Sequence, residues 1–331
     1  MKYQVINHQH IFAPGSLFRH CHASTVCLLP DGDCVSAWFG GDYEKAANVA
    51  IWFSRNRNGI WNTPRKVADA PGIPCWNPVL YAVDDTLMLF YKIGKEIPTW
   101  QTMVMESKDW GESWSEAREL VSGDIGGRGP VKNKCIRLRS GRILAPASTE
   151  THFWESFVDI SDDGGKTWEK SENVPMDIEG LQAGQGVIQP TLWEDDLGIV
   201  NMYMRSSFGK ICRSKSFDEG RTWTKLGMTA LPNNNSGIDL VKMDDGRLVL
   251  VYNPVAGNWA NRCHIGFAVS EDNGQHWSEP QTLDYYPTDV LDAPGEFSYP
   301  AIISRGEDVY ITYTWKRETV AFWHIRLPKQ N

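Results

Sequence analysis

No apolar run in the sequence approaches the 18 residues that a membrane-crossing helix needs, and the opening MKYQVINHQHIF lacks the apolar core of a secretory leader. These absences set the expectation of a soluble, cytoplasmic chain with no membrane partner. Helical periodicity is also missing beyond a turn or two, which excludes helix bundles and folds that alternate strand and helix. The seven cysteines, at 21, 27, 34, 75, 135, 212 and 263, form no C-x-x-C pair and are odd in number. Most sit in apolar segments, so reduced core thiols are expected rather than a disulfide framework. Basic charge is scarce: 33 Lys and Arg against 41 Asp and Glu leave a net charge of −8, an argument against nucleic acid as a partner.

What is present is a repeat. Ser107–Trp114 (SKDWGESW), Ser161–Trp168 (SDDGGKTW), Ser216–Trp223 (SFDEGRTW) and Ser270–Trp277 (SEDNGQHW) share the pattern S-x-D-x-G-x-x-W. A worn copy, SRNRNGIW, lies at Ser54–Trp61 with Asn56 in place of Asp. The closing tryptophans are 53, 54, 55 and 54 residues apart, a fixed period of the kind that marks repeat architectures. The Asp and Gly suit a tight turn, since the carboxylate can accept nearby backbone N–H bonds and Gly tolerates φ > 0. A folding staple is the simplest reading of each copy.

Between these turns recur six segments, each an apolar run, a polar turn and a second apolar run: 22–41, 76–94, 131–149, 188–207, 237–254 and 298–317. Two strands per segment and two around each Asp-turn give four antiparallel strands per period. The expected fold is an all-β, six-bladed propeller occupying residues 1–331 as one domain. The sixth unit lacks its Asp-turn, so Tyr3–Ile11 is expected to supply the missing outer strand and close the ring.

In such a ring the inner strands begin at one face, around the axis. The residues expected there are His22, Trp76, Asn77, Lys132, Asn133, Gln189, Asn235, Ser236, Glu296 and Tyr299. Polar side chains opening apolar strands, with tryptophan beside them, suit a sugar: hydroxyls take hydrogen bonds and an aromatic face stacks on the ring.

The repeated boxes on a six-bladed scaffold resemble the sialidase superfamily over nearly the whole chain. The resemblance implies three arginines gripping a substrate carboxylate, a tyrosine–glutamate nucleophile pair and an aspartate acid/base. By this resemblance Arg205 in MYMRSS stands for the second arginine and Arg262, eight residues before Ser270, for the third. Tyr299 in EFSYPAI stands for the nucleophile, and Glu318 for the acid that buttresses the first arginine. Asp42 and Glu44 in GGDYEKAAN are the candidates for the acid/base. Two positions depart from the pattern. His22, in C-H-A-S, occupies the first arginine's place, and Gln189, in VIQPTL, that of the tyrosine's carboxylate partner. Gln cannot take a proton from a phenol, whereas a neutral imidazole can move protons near pH 7.

The expected function is a sialidase-like glycoside hydrolase that cleaves a terminal sugar from an acidic oligosaccharide. His22, Tyr299, Glu44 and Asp42 are its catalytic candidates. Arg205, Arg262, Gln189, Trp76, Asn77, Lys132, Asn133 and Glu318 are the candidates for binding. One alternative is a uronate-directed lyase, with His22 or Tyr299 removing the C5 proton. Another is a glycan-binding propeller without catalysis. No cofactor or metal is expected, since His20 and His22 share one side of an extended segment but no third ligand has a motif. The partner is an acidic oligosaccharide, and the chain is a monomer or simple homo-oligomer.

Overall fold

The computed structural model describes residues 2–287 and 295–329 and arranges them as six antiparallel sheets around an axis. Blade 1 runs outward from His20–Leu28 through Cys34–Gly41 and Ala50–Arg57; its outermost strand is split into Ile60–Trp61 and Arg65–Ala68, both paired to Ala50–Arg57. Blades 2 to 5 begin at Cys75–Val83, Ile136–Arg137, Val187–Glu194 and Asp239–Lys242, and each continues outward in chain order through three more strands. Blade 6 contributes Phe297–Arg305, Asp308–Trp315 and Thr319–Arg326. Its fourth strand is Gln4–His10, antiparallel to Thr319–Arg326, so the two ends of the chain share a sheet and the expected closure is realised.

The strands read as apolar runs because neighbouring blades cover both of their faces. Val79, Phe90 and Val104 of blade 2, for example, pack with Cys135, Ile143 and Ala145 of blade 3. Each such side chain, fully buried, contributes about 1.5–3 kcal/mol relative to exposure. All seven cysteines are free and buried. Burial pushes the Cys27 thiol up to about 11, which makes it an inert core group.

In an up-and-down blade, alternate turns lie at opposite ends. The Asp-turns join third and fourth strands, remote from the starts of the inner strands. In the second copy the Asp109 carboxylate accepts the Ser113 backbone N–H (2.8 Å) and the Ser107 and Ser113 hydroxyls, while Ser107 Oγ accepts the Gly111 N–H at 2.7 Å. These bonds hold the Asp109 carboxyl down at about 2. Gly111 has φ +96°, and a methyl there would lie 2.5 Å from the Phe53 ring. The worn copy keeps only a weaker version, in which Asn56 Oδ1 accepts the Gly59 N–H at 3.0 Å.

The opposite end is built differently. Each inner strand carries or follows one non-glycine residue in the left-handed region: Ala23, Asn77, Lys132, Gln189, Asn235 and Tyr299. In blades 1, 2, 4 and 6 the pairing register slips at that residue. A bulge of this kind re-aims the side chain and interrupts the ladder. In three blades the next residue is proline (78, 190, 300), whose missing N–H costs nothing where the ladder is already broken. Six residues at one end of one axis, each held at a cost on the order of 1 kcal/mol, mark that end as the place where side-chain direction matters.

Candidate functional site

The bulges and the loops joining second to third strands enclose a cleft of about 160 Å³ at the axis, with Tyr299 among its lining residues. The Tyr299 ring lies on Gly237, where a methyl group would meet it at 2.5 Å. Its hydroxyl oxygen accepts hydrogen bonds from Arg205 Nη1 (2.7 Å) and Gln189 Nε2 (3.1 Å). Arg205 Nη1 also donates to Gln189 Oε1 at 3.1 Å, which fixes the orientation of that amide. The nitrogen of Gln189 must therefore face Tyr299, and Gln189 offers the phenolic proton no acceptor.

Arg205 is 3% exposed. Its Nε donates to Asn235 Oδ1 at 2.8 Å, and its guanidinium lies 5.5 Å from the ring centroids of both Trp154 and Trp259. It has no carboxylate partner among the described residues. Arg262 donates to Glu296 Oε1 (3.0 Å) and the Asn235 carbonyl (3.3 Å), and sits 5.7 Å over the Tyr299 ring.

A third guanidinium comes from Arg317, in the turn between Asp308–Trp315 and Thr319–Arg326. It donates to Glu296 Oε2 and to Glu44 Oε2, both at 2.8 Å. Burial pulls the Arg317 pKa down, but Glu296 and Glu44 outweigh it and raise it above the usual range. Burial pushes the Glu296 carboxyl up, and Arg317 and Arg262 together bring it below its ordinary value.

His22 is 2% exposed and packs edge-on against Tyr299, with ring centroids 4.1 Å apart. Its Nδ1 lies 2.8 Å from Thr314 Oγ1, and its Nε2 has no partner among the described residues. Burial, reinforced by Arg317, Arg262 and Arg205, drives its pKa well below 6.5. The imidazole is therefore neutral at pH 7.

Glu150 also lines the cleft, half-buried at the end of the Ile143–Glu150 strand. Its backbone pairs with Trp154, but its side chain forms no hydrogen bond or ion pair with another described residue. Burial raises its pKa, Arg205 lowers it, and Glu44 raises it again. Trp76, with Nε1 bonded to the Gly94 carbonyl at 2.8 Å, lies with Trp100, Trp259 and Asn77 in the remaining wall.

Of the catalytic and binding candidates named from sequence, His22, Trp76, Asn77, Gln189, Tyr299, Arg205, Arg262 and Glu44 meet in this cleft. Four do not. Asp42 is exposed on its loop, where its N–H donates to Asn48 Oδ1, and Glu44, two residues on, turns inward instead. Glu318 is exposed, and Glu296 rather than Glu318 buttresses the arginines. Lys132 is buried below the cleft, its ammonium bonded to Asn133 Oδ1 and to the carbonyls of Ile238 and Pro300. Asn133 is spent on the carbonyls of Gln189 and Pro190, both at 2.9 Å. These two side chains tie blades 3, 4, 5 and 6 together at the axis.

Arg317 and Glu150 were not among the expected site residues. Lys316 and Arg317 are both left-handed (φ +52° and +62°), and that turn decides which of three adjacent charged residues faces inward. Glu150 follows Ser148 and Thr149 at the polar end of its strand, so the sequence pattern does not set it apart. Among the described residues no group of His, Cys, Asp and Glu is placed to hold a metal ion. A larger hollow, about 520 Å³, lies beside the Asp272 turn, but Asp272 is already occupied by the His276 N–H and imidazole.

Comparison with known proteins agrees with this architecture. A protein of unknown function from Dyadobacter fermentans superposes with a TM-score of 0.74 at 16% identity, covering 98% of this chain and 99% of the other. A variant of the NanB sialidase of Streptococcus pneumoniae gives 0.75 at 13% identity, covering 98% of this chain and 70% of that one. Trypanosoma rangeli sialidase, bound to 2,3-difluorosialic acid as a covalent intermediate, gives 0.72 at 13% identity; the match covers 97% of this chain and 59% of the sialidase. At such identities the likeness is one of fold. No curated protein matches the sequence. The model of the BNR repeat-like domain matches residues 32–311, most of the sequence, and the chain belongs to that family.

Proposed function

We propose that this chain is a glycoside hydrolase that removes a terminal, carboxylate-bearing sugar from an acidic oligosaccharide. The observation that carries this reading is the convergence of three guanidiniums with the Tyr299 oxygen in one small cleft, where Arg205 lacks a carboxylate partner. A buried guanidinium flanked by two indoles is suited to a planar carboxylate, which it can hold through paired hydrogen bonds. About 160 Å³ is below the size of pockets that take extended ligands, so a single sugar ring is the fitting occupant. Trp76, Trp100 and Trp259 offer it faces for stacking.

In this reading the carboxylate on Arg205, Arg262 and Arg317 places the anomeric carbon at Tyr299. Arg205 and Gln189 both donate to the phenolic oxygen, which leaves its O–H directed toward the cleft; loss of that proton frees the lone pair with which Tyr299 attacks, and the two donors stabilise the phenolate. The low pKa of His22 and its enclosure favour hydrolysis over elimination, since a buried base beside Arg317, Arg262, Arg205 and Lys132 gains a proton poorly.

The test is a panel of sialyl and uronyl oligosaccharides, assayed for released monosaccharide and for the ultraviolet absorbance of an unsaturated uronate, with wild type and Tyr299→Phe. Monosaccharide release that falls about 10³-fold in kcat in the variant, with binding retained, supports the reading. An unsaturated product overturns it in favour of a lyase. Saturable binding of a panel member without turnover would leave a glycan-binding propeller.

A further inference from the structure

A hydrolase of this kind needs a group that gives a proton to the departing oxygen, and the expected source was the loop holding Asp42 and Glu44. Asp42 is outside the cleft, and Glu44 is engaged by Arg317 at 2.8 Å. The geometry points to Glu150, from blade 3, as the catalytic acid that protonates the leaving oxygen. This assignment rests on the hydrolase reading above and names a residue that reading left open.

Three observations support it. Glu150 lines the same small cleft as Tyr299, from the blade preceding the one that carries Gln189 and Arg205. Its side chain is free of hydrogen bonds and ion pairs to described residues, so nothing needs to be broken for the carboxyl group to reach a ligand. Its surroundings also separate it from Glu44. The charged and titratable groups sharing its cleft are Glu44, Arg205, Arg262, Arg317, His22 and Tyr299. Glu44 is held by Arg317, whereas Glu150 is pushed toward its protonated form by burial, against the pull of Arg205 and with a smaller push from the Glu44 charge. On its own hairpin, His152 is exposed and meets Phe153 edge-on. A partner-free carboxyl group raised by burial beside the nucleophile is placed to serve as a general acid.

The chemistry balances as follows. Glu150 gives its proton to the glycosidic oxygen, which departs with the electron pair of the broken C–O bond. The Tyr299 oxygen bonds to the anomeric carbon, and the phenolic proton passes to solvent. Water then displaces Tyr299, giving one proton to the Glu150 carboxylate, and the released phenolate takes a proton from solvent. The net change is addition of one water across the glycosidic bond, with Glu150 again protonated.

The discriminating experiment compares leaving groups. Wild type, Glu150→Gln and Glu150→Asp are assayed on 4-methylumbelliferyl N-acetylneuraminic acid and glucuronide, and on the methyl glycosides of the same acids, across pH. A methylumbelliferyl group leaves with little protonic help, whereas a methoxyl does not. Glu150→Gln is expected to lose about 10²–10⁴-fold in kcat on the methyl glycoside and under about 10-fold on the aryl one. The fall in wild-type rate as pH rises should disappear in the Gln variant and persist, shifted, in the Asp variant. Equal losses on both leaving groups, with the alkaline limb unmoved, would overturn the assignment while leaving the hydrolase reading intact. A wild type inactive on all four glycosides would remove both, and retained thermal unfolding of the variants separates either result from misfolding.

Discussion

The two ends of this propeller are made from the same four-stranded unit and solve opposite problems. At the Asp-turn end, the signature carboxylate of each box is settled within eight residues: Asp109 satisfies its own turn, and Asp163, Asp218 and Asp272 repeat the arrangement. At the cleft end, charge is enclosed and settled between blades, since Glu296 of blade 6 receives Arg262 of blade 5 and Arg317 of its own blade, which also reaches Glu44 of blade 1. The first end can be copied because each signature Asp finds its partners inside its own turn, whatever other ion pairs surround it. The second cannot, because each residue has meaning only through partners tens to hundreds of positions away. Repetition therefore carries the ring, and departure from repetition carries the chemistry.

The strongest way to break this contrast is to remove the cation that has no carboxylate partner. Arg205→Met should weaken binding of N-acetylneuraminic acid or glucuronic acid by about 10²–10³-fold in calorimetry, the scale expected when one side of a desolvated, hydrogen-bonded charge pair is lost. Arg205→Lys should recover little, because an ammonium cannot replace the planar fork held between Trp154 and Trp259. Undiminished binding in either variant would show that the carboxylate is held elsewhere.

Glu296→Gln probes the shared carboxylate. It leaves Arg262 without its acidic partner and Arg317 with Glu44 alone, at a cost of about 3 kcal/mol in denaturant unfolding. The sign with pH follows from the depressed pKa of Glu296. Its contribution to stability is complete above the ordinary carboxylate range and is lost as pH falls through the folded value. Wild type should thus lose more stability on acidification than Glu296→Gln does, and parallel pH profiles would refute the role.

These cleft residues were only partly legible in sequence, for the reason that separates the two ends. A local turn leaves a local pattern, so S-x-D-x-G-x-x-W at a steady period, with apolar hairpins between, was enough to read six blades and their closure. The inner ring was legible wherever a polar residue opened an apolar strand, as at Asn77, Gln189 and Tyr299. The N-P, Q-P and Y-P dipeptides that accompany these bulges were an available signal as well. Loop positions were not legible. Asp42 against Glu44, and Arg317 against Glu318, differ by one or two residues in irregular backbone, where no period fixes which side chain faces inward. Lys132 and Asn133 were correctly placed near the axis, but sequence cannot tell a group offered to a ligand from one spent on carbonyls of neighbouring blades.

A smaller perturbation sharpens the same contrast by moving one ring. Gly237 lies behind Tyr299, and Gly237→Ala would push a methyl into its edge. The overpacking should cost about 1–3 kcal/mol of stability and displace the phenol from Arg205 and Gln189. A loss of about 10–100-fold in kcat with KM little changed is the expected result, measured on the methylumbelliferyl glycosides. An unchanged kcat would mean that the exact place of the Tyr299 oxygen does not matter to the reaction.

The smallest effect belongs to the repeated end. Asp109→Ala removes the acceptor of the Ser113 N–H and of two hydroxyls, yet both Ser113 groups are exposed, where water can replace the carboxylate, and only the Ser107 hydroxyl is buried. The turn is further held by Ser107 Oγ accepting the Gly111 N–H, a bond that does not involve the carboxylate. The worn first copy, with Asn56 and no carboxylate, already stands in the same ring. Thermal unfolding should therefore fall by only about 2–4 °C, with kcat/KM unchanged because the turn lies at the far end of the blade from Tyr299. A change in kcat/KM at this position, without loss of folded protein, would mean that the two ends communicate through the blade and that the repeat is more than a staple.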